Sequence, residues 1–152
     1  MPTLKTNDGQ LYYERRGAGP AVLLIQGVGA AGSAWRPQVE GLIDFDTIIF
    51  DNRGIGKTDA PAGPYSSRML ADDAKALVDL LGIRDFHLMG VSMGGMIAEE
   101  YAIAYGSDLK SLTLACTYGK ADAFCQNMFA MWADLAKGLG VPFVMRDVTL
   151  WA

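Results

Sequence analysis

Phe86-His87-Leu88-Met89-Gly90-Val91-Ser92-Met93-Gly94-Gly95-Met96 decides how this chain is read. An apolar strand-like run passes through Gly-Val-Ser-Met-Gly and continues as a helix-like one. The five central letters match G-x-S-x-G, the spelling of a nucleophile elbow. The spelling has a steric cause. A serine on a very sharp strand-to-helix turn sits in strained backbone, with neighbouring segments pressed close. Side chains two residues before and after it would collide, so Gly90 and Gly94 are needed there. The hydroxyl of Ser92 then projects from the top of a sheet, beside a helix N-terminus that favours negative charge. A glycine-rich turn without chemistry spells the same five letters, so the rest of the chain has to decide.

The chain has 152 residues, 51% of them hydrophobic, which suits one domain with a real core. A net charge of −4 gives no reason to expect nucleic acid or an anionic membrane surface as partner. The opening Met1 to Gly9 lacks the apolar segment of a secretory signal. No apolar run approaches the roughly 18 residues of a membrane span. Cys116 and Cys125 lie outside any CxxC pattern. Two free thiols in a reducing, cytoplasmic setting are expected, with no metal and no cofactor. There is one histidine, His87.

Outward from the elbow, the pattern alternates. Gln10 to Arg16 reads as a strand after an Asn7-Asp8-Gly9 turn, and Ala21 to Ile25 as a strand buried on both faces. Gln26 to Ser33 is a loop, and Pro37 suits the first turn of a short helix to about Leu42. Thr47 to Phe50 is the next buried strand, followed by a Gly- and Pro-rich loop from Asn52 to Pro64. Leu70, Ala74, Leu77, Val78 and Leu81 mark a helix ended by Gly82, with Ser66 or Ser67 as its cap. Phe86 to Val91 is the elbow strand, its helix runs to Gly106, and Lys110 to Ala115 is another strand. Strands alternating with helices predict a mostly parallel α/β sheet with helices on both faces. After Ala115 the rhythm changes. Phe124, Met128, Met131, Trp132, Leu135 and Leu139 form a helical face that suits either packing or the wall of an apolar pocket. Val141 to Met145 follows, and the apolar end has no obvious closing element.

Two glycine-rich stretches compete with the elbow. Gly27-x-Gly29-x-x-Gly32, with Asp51 19 residues on, spells a dinucleotide-binding fingerprint and its ribose acid. Pro37 interrupts the helix that this reading requires. Asp51 to Thr58 is one letter from a phosphate-binding loop, but Asp59-Ala60-Pro61-Ala62-Gly63-Pro64 follows where a helix must start. Read with the elbow, both acquire a role. An acyl-transfer serine needs an oxyanion hole, which the elbow geometry builds from the N–H after the serine and one from the loop after a preceding strand. Those are Met93 and, in Gln26-Gly27-Val28-Gly29, Val28. Asp51 to Thr58 becomes a tight structural loop at the same rim.

Taken in order, Leu-Leu-Ile-Gln-Gly, Phe-Asp-Asn-Arg-Gly-Ile-Gly-Lys-Thr and Gly-Val-Ser-Met-Gly-Gly resemble the α/β-hydrolase superfamily, especially its esterase and enol-lactonase-like members. The resemblance covers about residues 10 to 118. It implies Ser92 as nucleophile, Val28 and Met93 as oxyanion donors, Gln26, Gly27, Gly90 and Gly94 as their supporting loops, and a small acyl substrate. Serine at the elbow argues against the chemistry of relatives that carry aspartate there. Gln26 departs from the histidine most relatives place before the glycine, a change that bears on the loop's hydrogen bonding.

In such enzymes the triad runs serine, acid, histidine. No histidine follows Ser92, and His87 starts the strand whose far end carries it, roughly 16 Å away at ~3.3 Å per residue. A base must lie within about 3 Å of its proton, or one water away. Asp122, Asp134 and Asp147 do not fall where the acid is expected. The sequence therefore reads as the N-terminal part of a hydrolase core (1–120) and the start of a helical cap (121–152), truncated before the last strands. The strand at Lys110 to Ala115 would be an exposed edge, open to self-association or to a complementing C-terminal segment. The reading is a serine hydrolase of esters, lactones or related acyl compounds, nearly inactive as this chain alone. A non-catalytic binding or structural protein on the same fold, and a Rossmann-type dinucleotide-binding domain, stand as alternatives.

Overall fold

The computed structural model describes residues 3–6 and 9–151, with side chains through Val148. The turn read at Asn7-Asp8-Gly9 therefore lies in part outside the described residues. The chain divides into two compact units, one reaching Thr117 and the other starting at Tyr118.

The first unit is a six-stranded sheet in the order β1-β2-β4-β3-β5-β6. The strands are β1 (Thr3–Thr6), β2 (Gly9–Arg16), β3 (Ala21–Ile25), β4 (Asp46–Phe50), β5 (Phe86–Val91) and β6 (Leu109–Ala115). β2 runs antiparallel to β1 and β4, and the rest of the sheet is parallel. β1 was not read from the sequence. It is four residues long and buries only Leu4, too little for a strand pattern to emerge.

The helices explain why the central strands are apolar without alternation. α2 (Ser67–Leu80) and α3 (Met93–Tyr105) cover one face. There Leu70, Ala74, Leu77, Ile97 and Tyr101 pack with Leu23, Ile25, Ile48, Phe50 and Leu88. α1 (Arg36–Gly41) lies on the other face, where Val39 and the preceding Trp35 pack with Val22, Leu24 and Ile49. Both faces being covered, each residue of β3 from Val22 to Ile25 is buried. The side chain of Ser66 caps α2 by accepting from Met69 N–H at 3.2 Å. Its exit passes through Gly82 at φ +64, a backbone setting that favours glycine. β6 is the edge of the described sheet, paired only with β5, and Leu112 and Leu114 stay exposed.

The second unit contains α4 (Ala123–Leu139) and α5 (Val141–Trp151). Asp122 caps α4 by accepting from Cys125 N–H at 2.8 Å. Gly140, at φ +86, separates the helices, and Pro142 sits in the first turn of α5, where its missing N–H costs nothing. Sequence reading left α5 without an element, because Val141-Pro142 looks like a break unless it is a helix start. Trp132 Nε1 donates to Asp147 at 2.8 Å and joins the two helices. No described helix in either unit is long and apolar enough to cross a membrane.

Candidate active site

The turn after β5 has the geometry its spelling requires. Ser92 sits at φ +55, ψ −124, a region non-glycine residues rarely occupy. Its N–H donates to Ala115 on β6 at 2.9 Å, and its carbonyl accepts from Gly95 N–H at 2.9 Å. These bonds hold the strained residue between sheet and helix. A side chain at Gly90 would place Cβ 2.1 Å from the Gly94 carbonyl oxygen, and one at Gly94 would place it 2.2 Å from the Ile25 carbonyl oxygen. Backbone stands in both places, so neither collision can be relieved by a rotamer change. Gly95 is crowded as well, by Thr117 at 2.5 Å. Ser92 itself is exposed.

The loop after β3 presses against this turn. A Cβ at Gly27 would lie 3.1 Å from Ser92 Cβ and 3.4 Å from Ser92 Oγ. Gln26 Oε1 accepts from Gly27 N–H at 3.1 Å, so glutamine organises its own loop. The next residue, Val28, is 43% exposed and its N–H has no partner among the described residues. Met93 begins α3, so its N–H precedes the intrahelical bonds. Two open N–H groups thus belong to the segments that flank Ser92.

Asp51 accounts for both competing glycine motifs. Its Oδ1 accepts from Gly32 N–H at 2.7 Å, and its Oδ2 from Lys57 N–H at 2.9 Å. A carboxylate bonded to both loops is not presented to a ribose. Gly32 is required because a Cβ would lie 2.6 Å from the Phe50 carbonyl oxygen. Gly56, at φ +56, is required because a Cβ would lie 2.2 Å from Asp51 Oδ2. The helix expected of a dinucleotide site is replaced by a 3-10 turn, Gly32–Trp35, and the six-residue α1. Lys57, which a phosphate loop would point at its ligand, lies over the Tyr12 ring, 4.3 Å from its centroid.

A buried ion pair fixes this rim to α2. Arg53 donates to both carboxylate oxygens of Asp73, at 2.7 and 2.5 Å. Sequence reading missed Asp73. The signal was present: a carboxylate three residues after Leu70 and one before Ala74 lies within the buried stripe of an amphipathic helix. Such a group requires a partner.

His87 is at the other end of β5. It pairs in register with Val22 and Ser111, and its Nδ1 lies 2.7 Å from Ser111 Oγ. Among the described residues of the first unit no side chain hydrogen-bonds Ser92 Oγ. In the second unit Asp122 caps α4, Asp134 pairs with Lys137 at 3.2 Å, and Asp147 holds Trp132. Cys116, at φ +50, and Cys125 are free thiols.

Residues 20–142 match the family model described as alpha/beta hydrolase fold. A protein of Azorhizobium caulinodans named as a provisional carbamate hydrolase, RutD, is 36% identical over 85% of this chain and 49% of its own length. The enol-lactonase of Burkholderia xenovorans superposes with a TM-score of 0.88 at 27% identity, over 97% of this chain and 58% of that one. A thermophilic esterase of Thermogutta terrifontis gives 0.85 at 29% identity, over 96% and 56%. The chain spans about half the length of the curated relatives it matches, from 44% to 53%. Neither a dinucleotide-binding domain nor a purely structural protein finds support among these relatives.

Proposed function

The chain belongs to the alpha/beta hydrolase fold family, and on that premise we propose that it carries the nucleophile and oxyanion hole of a serine hydrolase acting on esters, lactones or related acyl compounds. The supporting observation is Ser92 in its strained turn, with the Gly27 loop against it. In the proposed reaction Ser92 Oγ bonds to the acyl carbon. The negative charge that develops on the carbonyl oxygen is met by Val28 N–H and Met93 N–H, with the N-terminus of α3 adding to the field. The bond to the leaving oxygen or nitrogen then breaks. The leaving group takes up a proton, and water releases the acyl group from Ser92.

The proton of Ser92 needs an acceptor, and His87 is too far along β5 to be one. The reading therefore takes base and acid from outside these 152 residues, and takes the second unit as the start of a cap. Losing the base costs on the order of 10⁴-fold or more, while oxyanion stabilisation preserves a remnant of catalysis. Slow, stoichiometric acetylation of Ser92 by 4-nitrophenyl acetate is the expected result, located by peptide mass spectrometry and absent in Ser92→Ala. Equal labelling of that variant would exclude Ser92 as the nucleophile.

A further inference from the structure

Two consecutive residues at the end of β4 hold both ends of the loop that faces Ser92. Asn52 Nδ2 donates to the Gln26 carbonyl at 3.2 Å, and Asp51 Oδ1 accepts from Gly32 N–H at 2.7 Å. Both residues are buried, Asn52 to 2% exposure and Asp51 to 3%. Gly27 N–H is already taken by Gln26 Oε1. Val28 N–H, one residue past a glycine whose Cβ position lies 3.1 Å from Ser92 Cβ, is an open donor of this loop among the described residues.

We propose that Asn52 is a positioning residue for acyl transfer: its bond to Gln26 sets the backbone path from β3 to Val28, and so the placement of the Val28 N–H against an acyl oxygen at Ser92. This rests on the reading of Ser92 as nucleophile. The chemistry of Asn52 favours a specific role over packing. Its Oδ1 is buried without a partner among the described residues. A leucine of like volume would fill the same space without an unsatisfied acceptor. The Nδ2 donor is what the asparagine contributes, and the group it serves belongs to the oxyanion loop. Misplacing a reacting or stabilising group by about 1 Å can cost 10²-fold in rate, so a tie at the root of that loop can govern rate without touching substrate.

The test uses the whole chain and its slow acetylation by 4-nitrophenyl acetate over a range of ester concentrations. Four proteins are compared: parent, Asn52→Ala, Asn52→Asp and Val78→Ala. The last loses packing in α2, away from the loop. Asn52→Ala lowers the limiting labelling rate about tenfold, with the half-saturating ester concentration unchanged. Asn52→Asp lowers it further, because a carboxylate lacks the donor and also repels the Gln26 carbonyl oxygen. Val78→Ala, held below its melting temperature, labels at the parent rate. Amide hydrogen exchange rises across residues 26–32 in both Asn52 variants and is unchanged across 93–105. Parent-like labelling in the Asn52 variants, unchanged exchange across 26–32, or an equal slowing in Val78→Ala overturns the positioning role and leaves Ser92 as nucleophile. Failure of the parent to label at Ser92 overturns the nucleophile reading itself, and the positioning role falls with it.

Discussion

The two ends of β5 are built differently. At one end stands Ser92, at φ +55, pinned to Ala115 and wedged between glycines that admit no side chain. At the other stands His87, paired with Val22 on β3 and with Ser111 on β6 beside a register irregularity between Phe86 and His87, in edge contact with Phe45 at 6.2 Å. One end stores strain and is held by close backbone contacts. The other rests on strand pairing that is irregular on its β6 side and on a single side-chain bond. The strand and the turn that leaves it thus contain a strained serine wedged against backbone and a histidine held by strand pairing. Strain persists only where surrounding structure over-determines it, and the proposed nucleophile sits at the strained end.

The strongest way to break the comparison is to fill the strained end. Gly94→Ala puts a methyl carbon 2.2 Å from the Ile25 carbonyl oxygen and 2.7 Å from that of Gln26, both backbone. β3 and α3 would have to separate. The expected loss exceeds about 4 kcal/mol, against total stabilities of about 5–15 kcal/mol for domains generally. Urea denaturation measures it. A loss under about 1 kcal/mol would mean that the close approach of β3 and α3 is not rigid.

A smaller effect of opposite sign sharpens the comparison. Ser92→Gly keeps the turn and removes the Cβ that makes φ +55, ψ −124 unfavourable. Stability should rise by about 1–2 kcal/mol, while labelling by the aryl ester is lost. Ser92→Ala retains the Cβ and so lacks the gain in stability. The pair separates strain from chemistry: if Gly and Ala variants melt together, Ser92 is not strained.

This division also explains what the sequence disclosed. The fold was legible because β3, β4 and β5 are buried on both faces, and a continuous apolar run with glycine punctuation leaves little freedom of interpretation. The elbow was legible because Gly90 and Gly94 are required by backbone collisions that any such turn creates. The Gly27 and Gly54 loops were ambiguous because a phosphate cradle demands glycine and so do the close approach of Gly32 to Phe50 backbone and the positive φ of Gly54 and Gly56. Asp51, bonded to Gly32 and Lys57, shows what both loops are folded around. Asn52 and Asp73 were illegible as loop anchors, since their partners, Gln26 and Arg53, lie 26 and 20 residues away and no local pattern links them. β1 escaped because a strand that buries one leucine leaves no periodicity to read.

The smallest expected effect is at the His87 end, and it tests the premise that the two ends do not communicate. His87→Ala removes the bond to Ser111 and an edge contact with Phe45. The first is a partly exposed side-chain hydrogen bond, worth about 0.5–1.5 kcal/mol. A loss of about 1 kcal/mol is expected, read as a shift in urea midpoint without a change in slope. Ser92 acetylation should stay at the parent rate at every pH assayed. Five residues of strand keep the ring roughly 16 Å from the hydroxyl, beyond direct proton transfer and beyond one bridging water. A labelling rate that falls in His87→Ala, and whose pH dependence flattens with it, would show an imidazole acting on Ser92. That could arise only if His87 of one molecule reached the elbow of another, and the rate would then depend on protein concentration.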